Sequence, residues 1–513
     1  MKTIVRILSF ILCTNSLSAQ ITTPILKAGF GVDGELRTNF FMNFPQPGND
    51  DWFLYPGSSG SGQLVIDTTG AAQILSNYTS NPASRQIPFY RTMRVDPYTL
   101  VNGYRLIDAV FIRDYHGNDS TIFASGSNKN GMSPADWSCP AAQSVPDKNE
   151  ILDMMVHVRR AGSSATDSLW MFGGLSIENT SGSRYFDFEM YQTDIFYDRA
   201  SRRFYGYGPN AGHTAWTFDA SGNIITPGDI IFSAEYSGSN VLTNIEARIW
   251  VDQASTSIST PAFNWSGSFD GAVNGSQYGY AGISPKTVGA FYTGLTSPAN
   301  TWAGPFSLVL GDNSMINTYT AGQFMEFSVN LTKLGLDPVT LLGGDQCGMP
   351  FRRVLVKTRA STSFTASLKD FVGPFDLFLA PLVNAVADVP YYCGAYGGTT
   401  QLNVTNPVST SIYTWTTLNG NISGSTTGPS VTAISPGTYI VTQTLQSGCG
   451  PYARDTVVIA FDATCAVLSS GVLDLQGTIK GNAVQLKWRT NNNDDISYFV
   501  IERSFDNNIF TAV

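Results

Sequence analysis

Between residues 20 and 380 the chain is a succession of short apolar runs, each closed by a turn former such as Ser-Gly or Asn-Gly. Gln63-Leu64-Val65-Ile66-Asp67, Arg105 to Ile112 and Ser168-Leu169-Trp170-Met171-Phe172 are typical, and runs of this length and chemistry read as β-strands. Tyr185-Phe186-Asp187-Phe188-Glu189-Met190-Tyr191 alternates ring and acid, the pattern of a strand with one solvated face. One stretch departs from this. Glu150 to Val158 predicts a short helix, with Asp147 as its N-cap and Glu150 completing a capping box. Charged residues make up only 13% of the chain, while Gly, Ser, Thr and Asn stand where a helical protein carries Lys and Glu. The expected fold class is therefore all-β: a large β-sandwich or jelly-roll-like domain, followed by smaller sandwiches.

The 513 residues carry a net charge of -9 and no basic run, which argues against nucleic acid as a partner because phosphate binding needs clustered Lys and Arg. Lys2 and Arg6 precede the apolar Ile7 to Leu12, and small residues lead to a cut after Ala19, the layout of a signal peptide over residues 1–19. A cut after Ser18 is the alternative, since Leu17 is bulky. The apolar run is too short to span a bilayer, and after signal removal no integral membrane segment is expected. Export makes disulfides the default state of Cys139, Cys347, Cys393, Cys449 and Cys465, an odd count that leaves one thiol over.

No recognised catalytic arrangement is present. His116, His157 and His213 are dispersed, HExxH and GxSxG are missing, and "GSSGSG" at Gly57 to Gly62 has the wrong spacing for a nucleophile elbow. Carboxylate pairs remain a route to glycoside hydrolysis, with Glu189, Asp187, Glu178, Glu235 and Glu246 on or near expected strands. With 39 acids in the chain, such pairs arise by chance, and solvated strand faces are the simpler explanation. Asp147, Asn149 and Glu150 in "SVPDKNEILDMM" offer hard oxygen ligands suited to Ca²⁺, besides their reading as a helix cap. Asp114, Asn118 and Asp119 form a second polar cluster of turn character. Exposed aromatics stack on sugar rings, which brings in Trp137, Trp250, Trp265, Trp302 and the aromatic, locally basic "YDRASRRFYGYG" from Tyr197 to Gly208.

From Ala380-Pro381 the sequence turns Thr- and Ser-rich. Residues 385–462 predict an immunoglobulin-like sandwich with Gln401-Leu402-Asn403-Val404 as an early strand, Trp415 as core anchor and Pro436 to Thr442 as a turn and late strand. "YTWTT" and "SPGTYIVTQT" resemble the polycystic-kidney-disease-type (PKD-like) repeats of secreted bacterial proteins. A Cys393–Cys449 bridge would staple this module, worth roughly 3–4 kcal/mol on a loop-entropy argument. Residues 470–513 predict a partial third sandwich. "GNAVQLKWRTNNNDDISYFVIERSFDNNIFTAV" resembles the fibronectin-type-III-like module near the C-termini of Bacteroidota proteins exported by the type IX system. In those proteins a sorting domain follows, so the resemblance implies a sequence cut before that signal. Cys465 then either lost its partner or pairs with Cys393.

The blocks "FASGSNKNGMSPADWSC", "VPDKNEI", "YFDFEMYQ", "PGDIIFSAEYSGSN" and "RASTSFTASLKDFVGPF" resemble, in that order, a group of large secreted bacterial proteins. The resemblance spans most of residues 25–375. It implies a surface or adhesin-like module and transfers no catalytic residue. Cys139 and Cys347 fall inside these blocks and are expected to bridge each other. Three readings follow. The first is a cell-surface adhesin, residues 20–380 forming its head and binding an extracellular glycan or surface protein. The others are a carbohydrate-active or carbohydrate-binding protein and a structural surface component.

Overall fold

A computed structural model describes residues 26–41, 44–45, 48–114, 120–141, 145–341, 353–377, 383–393, 398–405, 407–445, 451–462, 474–481, 483–489, 498–504 and 509–512. The signal segment, His116, Asn118, Asp119, Cys347, Cys449 and Cys465 lie outside them. The chain forms two compact units. One takes in Met1–Pro381 with Val408–Thr410 and Leu445–Gly450, and the other Leu382–Pro407, Ser411–Thr444 and Pro451–Val513.

The first unit is all-β, apart from short helices such as α1 (Ala71–Ser80). Its long strands are, in chain order, β1 (Phe89–Thr92), β2 (Tyr104–Arg113), β3 (Ile151–Arg160), β4 (Leu169–Ile177), β5 (Arg184–Tyr191), β6 (Ile230–Tyr236) and β7 (Leu242–Asp252). They continue as β8 (Phe263–Asp270), β9 (Tyr278–Pro285), β10 (Tyr292–Thr296), β11 (Phe324–Asn330), β12 (Arg353–Arg359) and β13 (Leu368–Asp376). One antiparallel sheet runs β10-β11-β4-β3-β2-β1 and the other β8-β9-β7-β6-β5-β12-β13. Between them Phe188 of β5 meets Phe327 of β11 edge to face, ring centroids 4.8 Å apart. Gly173 of β4 lies beside both rings, and a Cβ there would stand 2.5 Å from Phe327.

The outer faces are covered as well. On the first sheet Phe30, Val32, Leu36, Trp52 and Phe53 pack against Leu106, Phe111, Met155, Phe172 and Phe324. On the second, Phe123, Trp137 and Phe204 cover Leu355 and Phe371, while Trp250, Tyr280 and Phe364 form an adjoining cluster. This covering corrects two expectations. Residues 150–158 do not form a helix: Asp147–Asn149 is a single 3₁₀ turn capped at Pro146 without a side-chain hydrogen bond, and β3 follows with every residue buried. A strand buried on both faces loses the alternation that would mark it, and its unbroken apolar run mimics a buried helix. For the same reason Asp187 and Glu189 on β5 meet protein, not solvent.

The second unit holds two four-stranded sheets. Ala385–Ala387, Thr400–Val404, Ser430–Ala433 and Ile422–Ser423 form one, and Tyr391–Cys393, Pro451–Asp462, Gly437–Leu445 and Ser411–Thr417 the other. Their inner residues, Leu402, Tyr413, Val431, Val441 and Ile459 among them, enclose Trp415, whose indole donates to the Gly428 carbonyl at 3.0 Å. Trp415 is the core anchor its position implied. The Tyr439 hydroxyl donates to the Ser435 carbonyl at 2.6 Å and accepts from the Asn421 amide at 3.0 Å, tying the turn to the strand. Asp474–Lys480 pairs with Ala483–Arg489, and Glu502–Arg503 with Thr511–Ala512, as hairpins with mostly exposed side chains. Among the described residues no helix is long and apolar enough to cross a membrane.

Candidate functional site

Two of the carboxylates singled out in the sequence, Asp187 and Glu189, are buried. Asp187 and Glu189 leave β5 on its outer face and meet Lys357 and Arg359 of the neighbouring β12. Lys357 lies opposite Asp187 in the register, yet each cation reaches diagonally, Lys357 to Glu189 and Arg359 to Asp187 at 3.0 Å. Asn130 links the two pairs, donating to Asp187 at 2.8 Å and accepting from Lys357 at 2.7 Å. Ser233 and Tyr280 donate to Asp187 and Glu189, both at 2.6 Å. His213 bonds Asp229 at 3.1 Å and stacks on Trp250 with centroids 4.0 Å apart. All of these carboxylates and cations are sealed from solvent. Burial opposes the charge on Glu189, but Lys357 and His213 outweigh it and hold the carboxyl below its usual range. Such a network ties strands and loops together. It has no access for a substrate.

The other acids are engaged separately. Glu178 accepts from the Gly311 amide at 2.8 Å and burial raises its pKa, Glu235 accepts from Thr362 at 2.5 Å, and Glu246 pairs with Arg248 at 3.0 Å. Asp114 is buried near Thr121. Asp147 is exposed, Glu150 half-buried, and Asn149 is buried with its amide donating to the Arg359 carbonyl at 2.9 Å. Among the described residues no group of three or more His, Cys, Asp or Glu side chains is arranged to hold a metal. Burial lowers the pKa of His157 well below its usual value, and its Nδ1 meets the Asp108 carbonyl at 2.7 Å.

Cys139 is a free, buried thiol, its expected partner Cys347 lies outside the described residues, and burial pushes its pKa up to about 12. A thiol held protonated reacts slowly. Alkylation followed by peptide mapping is therefore expected to leave Cys139 unmodified in the folded chain and fully modified in urea; labelling of Cys139 under native conditions would contradict this.

Trp137 and Trp250 serve the core, while Trp265 and Trp302 are half-buried. The stretch from Tyr197 to Gly208 behaves differently. Phe196–Asp198 pairs with Arg203–Tyr205 as a hairpin. Strand alternation turns Phe204 and Tyr197 inward, where Tyr197 donates to the Ser120 carbonyl at 2.6 Å. It turns Phe196 and Tyr205 outward, 47% and 36% exposed, with rings stacked at 5.3 Å and 20°. Tyr207 is 40% exposed, and Arg202 and Arg203 are exposed beside it.

Sequence reasoning missed Lys357, Arg359, Asn130 and the His213–Asp229 pair. It also missed Asp33, Asn49, Asp51 and Glu326 in the layer over the first sheet. Their only trace is the density of acids around glycines in "GVDGE" and "GNDDW".

No family model matches the chain, and no curated protein matches it. Among solved structures, the adhesin domain of Epf from Streptococcus pyogenes is aligned at 7% identity with a TM-score of 0.12, covering 67% of this chain and 100% of that one. A likeness at that score carries no argument about fold or function.

Proposed function

We propose that this chain is an exported cell-surface protein with an adhesive role, and that its first unit binds an extracellular glycan through the hairpin at 196–207. The observation carrying this reading is the outward stacked pair of Phe196 and Tyr205, fixed by two inward neighbours and flanked by Tyr207, Arg202 and Arg203. A preorganised pair of rings offers apolar faces to sugar C–H groups at little conformational cost, and the guanidinium groups supply donors for hydroxyl or acidic substituents. The signal-like leader over residues 1–19 and the type IX resemblance of residues 470–513 support a location outside the outer membrane. On this reading the PKD-like and fibronectin-type-III-like segments act as spacers.

The test is retention of the whole chain on a panel of glycans, matrix proteins and cell surfaces. Phe196→Ala with Tyr205→Ala is expected to weaken glycan binding at least about tenfold, at roughly 1–2 kcal/mol per anchor, with the melting midpoint nearly unchanged. Binding to proteins alone, no binding at all, or a double variant that binds like wild type would each defeat the proposal.

A further inference from the structure

The layer covering the outer face of the first sheet contains a second polar centre with a different character from the one on β5 and β12. Residues 29–31 and 50 run side by side, Gly31 N donating to the Asp50 carbonyl at 2.9 Å and Asp50 N to the Gly29 carbonyl at 3.0 Å. Around Gly31 stand Asp33, Asp51 and Asn49, at 1%, 0% and 2% exposure. Each aspartate uses one carboxylate oxygen on the backbone: Asp33 Oδ1 accepts from Glu35 N at 3.0 Å, and Asp51 Oδ1 from Trp52 N at 2.7 Å. The second oxygens, Asp33 Oδ2 and Asp51 Oδ2, are buried without a hydrogen-bond partner, and so is Asn49 Oδ1.

The two carboxylate oxygens converge, and the Asn49 amide nitrogen joins them. A Cβ on Gly31 would stand 2.8 Å from Asp51 Oδ2, 3.0 Å from Asp33 Oδ2 and 3.1 Å from Asn49 Nδ2. The missing side chain of Gly31 thus leaves a small space rimmed by two bare carboxylate oxygens and an amide. Turning the Asn49 amide would bring its oxygen to that rim in exchange for the 3.3 Å bond that Nδ2 donates to the Phe40 carbonyl.

Charge points the same way. Glu326 and Glu35 are also buried close by, but both are engaged. Glu326 accepts from Asp33 N at 2.9 Å, Gly34 N at 3.0 Å and the Trp52 indole at 2.6 Å, and Glu35 pairs with Arg37 at 2.9 Å. Asp50 is neutralised separately by Arg159 at 2.7 Å. Arg37, paired with Glu35, is the cation that faces Asp33 among the described residues. Buried polar atoms in folded proteins are paired with rare exceptions, and an unpaired buried charge is worse than an unpaired dipole.

We propose that Asp33, Asp51 and Asn49 bind one divalent cation of the hard, oxygen-seeking kind, Ca²⁺ foremost, in the space beside Gly31. The donors are all oxygen, which favours a hard cation over zinc, and they come from irregular extended segments, which suits the variable coordination of Ca²⁺ better than the strict octahedron of Mg²⁺. The cation clamps the 29–39 and 49–53 segments over the first sheet. It lies apart from Asp147, Asn149 and Glu150 and is independent of the glycan hairpin.

The test is equilibrium dialysis of the chelator-stripped whole chain against Ca²⁺, with Mg²⁺ in parallel, together with thermal melts. One Ca²⁺ per chain at millimolar concentration or below, and a melting midpoint raised by roughly 5 °C, are expected. Asp33→Asn with Asp51→Asn removes the repulsion along with the ligands, so it is expected to fold, to lose the bound Ca²⁺ and to melt at the same temperature with or without the ion. Asp147→Asn is expected to retain the site. Wild type that binds no Ca²⁺, or a double variant that keeps wild-type stoichiometry, overturns the proposal.

Discussion

Lys357→Met is expected to destabilise the first unit by about 3–5 kcal/mol, because it strips the cation from a Glu189 carboxylate that has no route to solvent. Glu189 would keep Tyr280, Tyr191 and His213 nearby, and Asn130 would lose the donor that joins it to Lys357. Urea unfolding followed by circular dichroism gives the difference. Replacing both partners, Lys357→Met with Glu189→Leu, is expected to recover much of the loss, since a buried pair exchanged for apolar groups of similar volume is often near neutral. The pH dependence has a definite sign. The Glu189 carboxyl sits below its usual 4.5 in the fold, so its contribution is present above that value and is lost as pH falls through the folded pKa. In the Lys357→Met variant Glu189 takes up a proton more readily, and the gap to wild type should narrow as pH drops below about 4.5. A single variant less than about 1 kcal/mol below wild type would show that the pair is not what fastens β12 to β5.

Trp415→Ala carries the second large effect. Its indole is 1% exposed at the centre of the two small sheets, in one cluster with Leu402, Tyr413, Val431, Tyr439 and Val457. Removing it leaves a cavity that sheets joined by short strands cannot close, and the Gly428 carbonyl loses its donor. The expected cost is about 3–5 kcal/mol, comparable to the whole stability of a domain this small. Hydrogen exchange reads it locally: amides of Thr400–Val404 and Gly437–Leu445 should lose protection, while β3 and β5 of the first unit keep theirs. Unchanged protection in the two small strands would contradict the assigned core.

How much of this was legible in the sequence depends on how far away the covering residues lie. Arg105 to Ile112 falls within β2 and the Trp415 environment was recognisable, because turn formers and local pattern decide both. Glu150 to Val158 reads as a helix because the second face of the strand Ile151–Arg160 is covered by Phe30, Trp52 and their neighbours, about 90 to 120 positions earlier in the chain. The acids of β5 looked solvated for a similar reason. Their partners Lys357 and Arg359 are separated from them by 168 and 172 positions, and Asp33 from Glu326 by 293. Periodicity reports one element at a time and cannot see what a distant loop lays over it. The hairpin at Phe196 to Tyr205 was visible as composition, but which rings face outward follows only from the strand register.

On the proposed reading, the first unit holds a glycan at its surface hairpin while its buried acids serve as structural ties. The most direct measurement incubates the whole chain with a panel of extracellular polysaccharides and reads retention and new reducing ends in the same samples. Retention without reducing ends, reduced by Phe196→Ala with Tyr205→Ala, is the predicted result. New reducing ends that rise with time and protein concentration would contradict it.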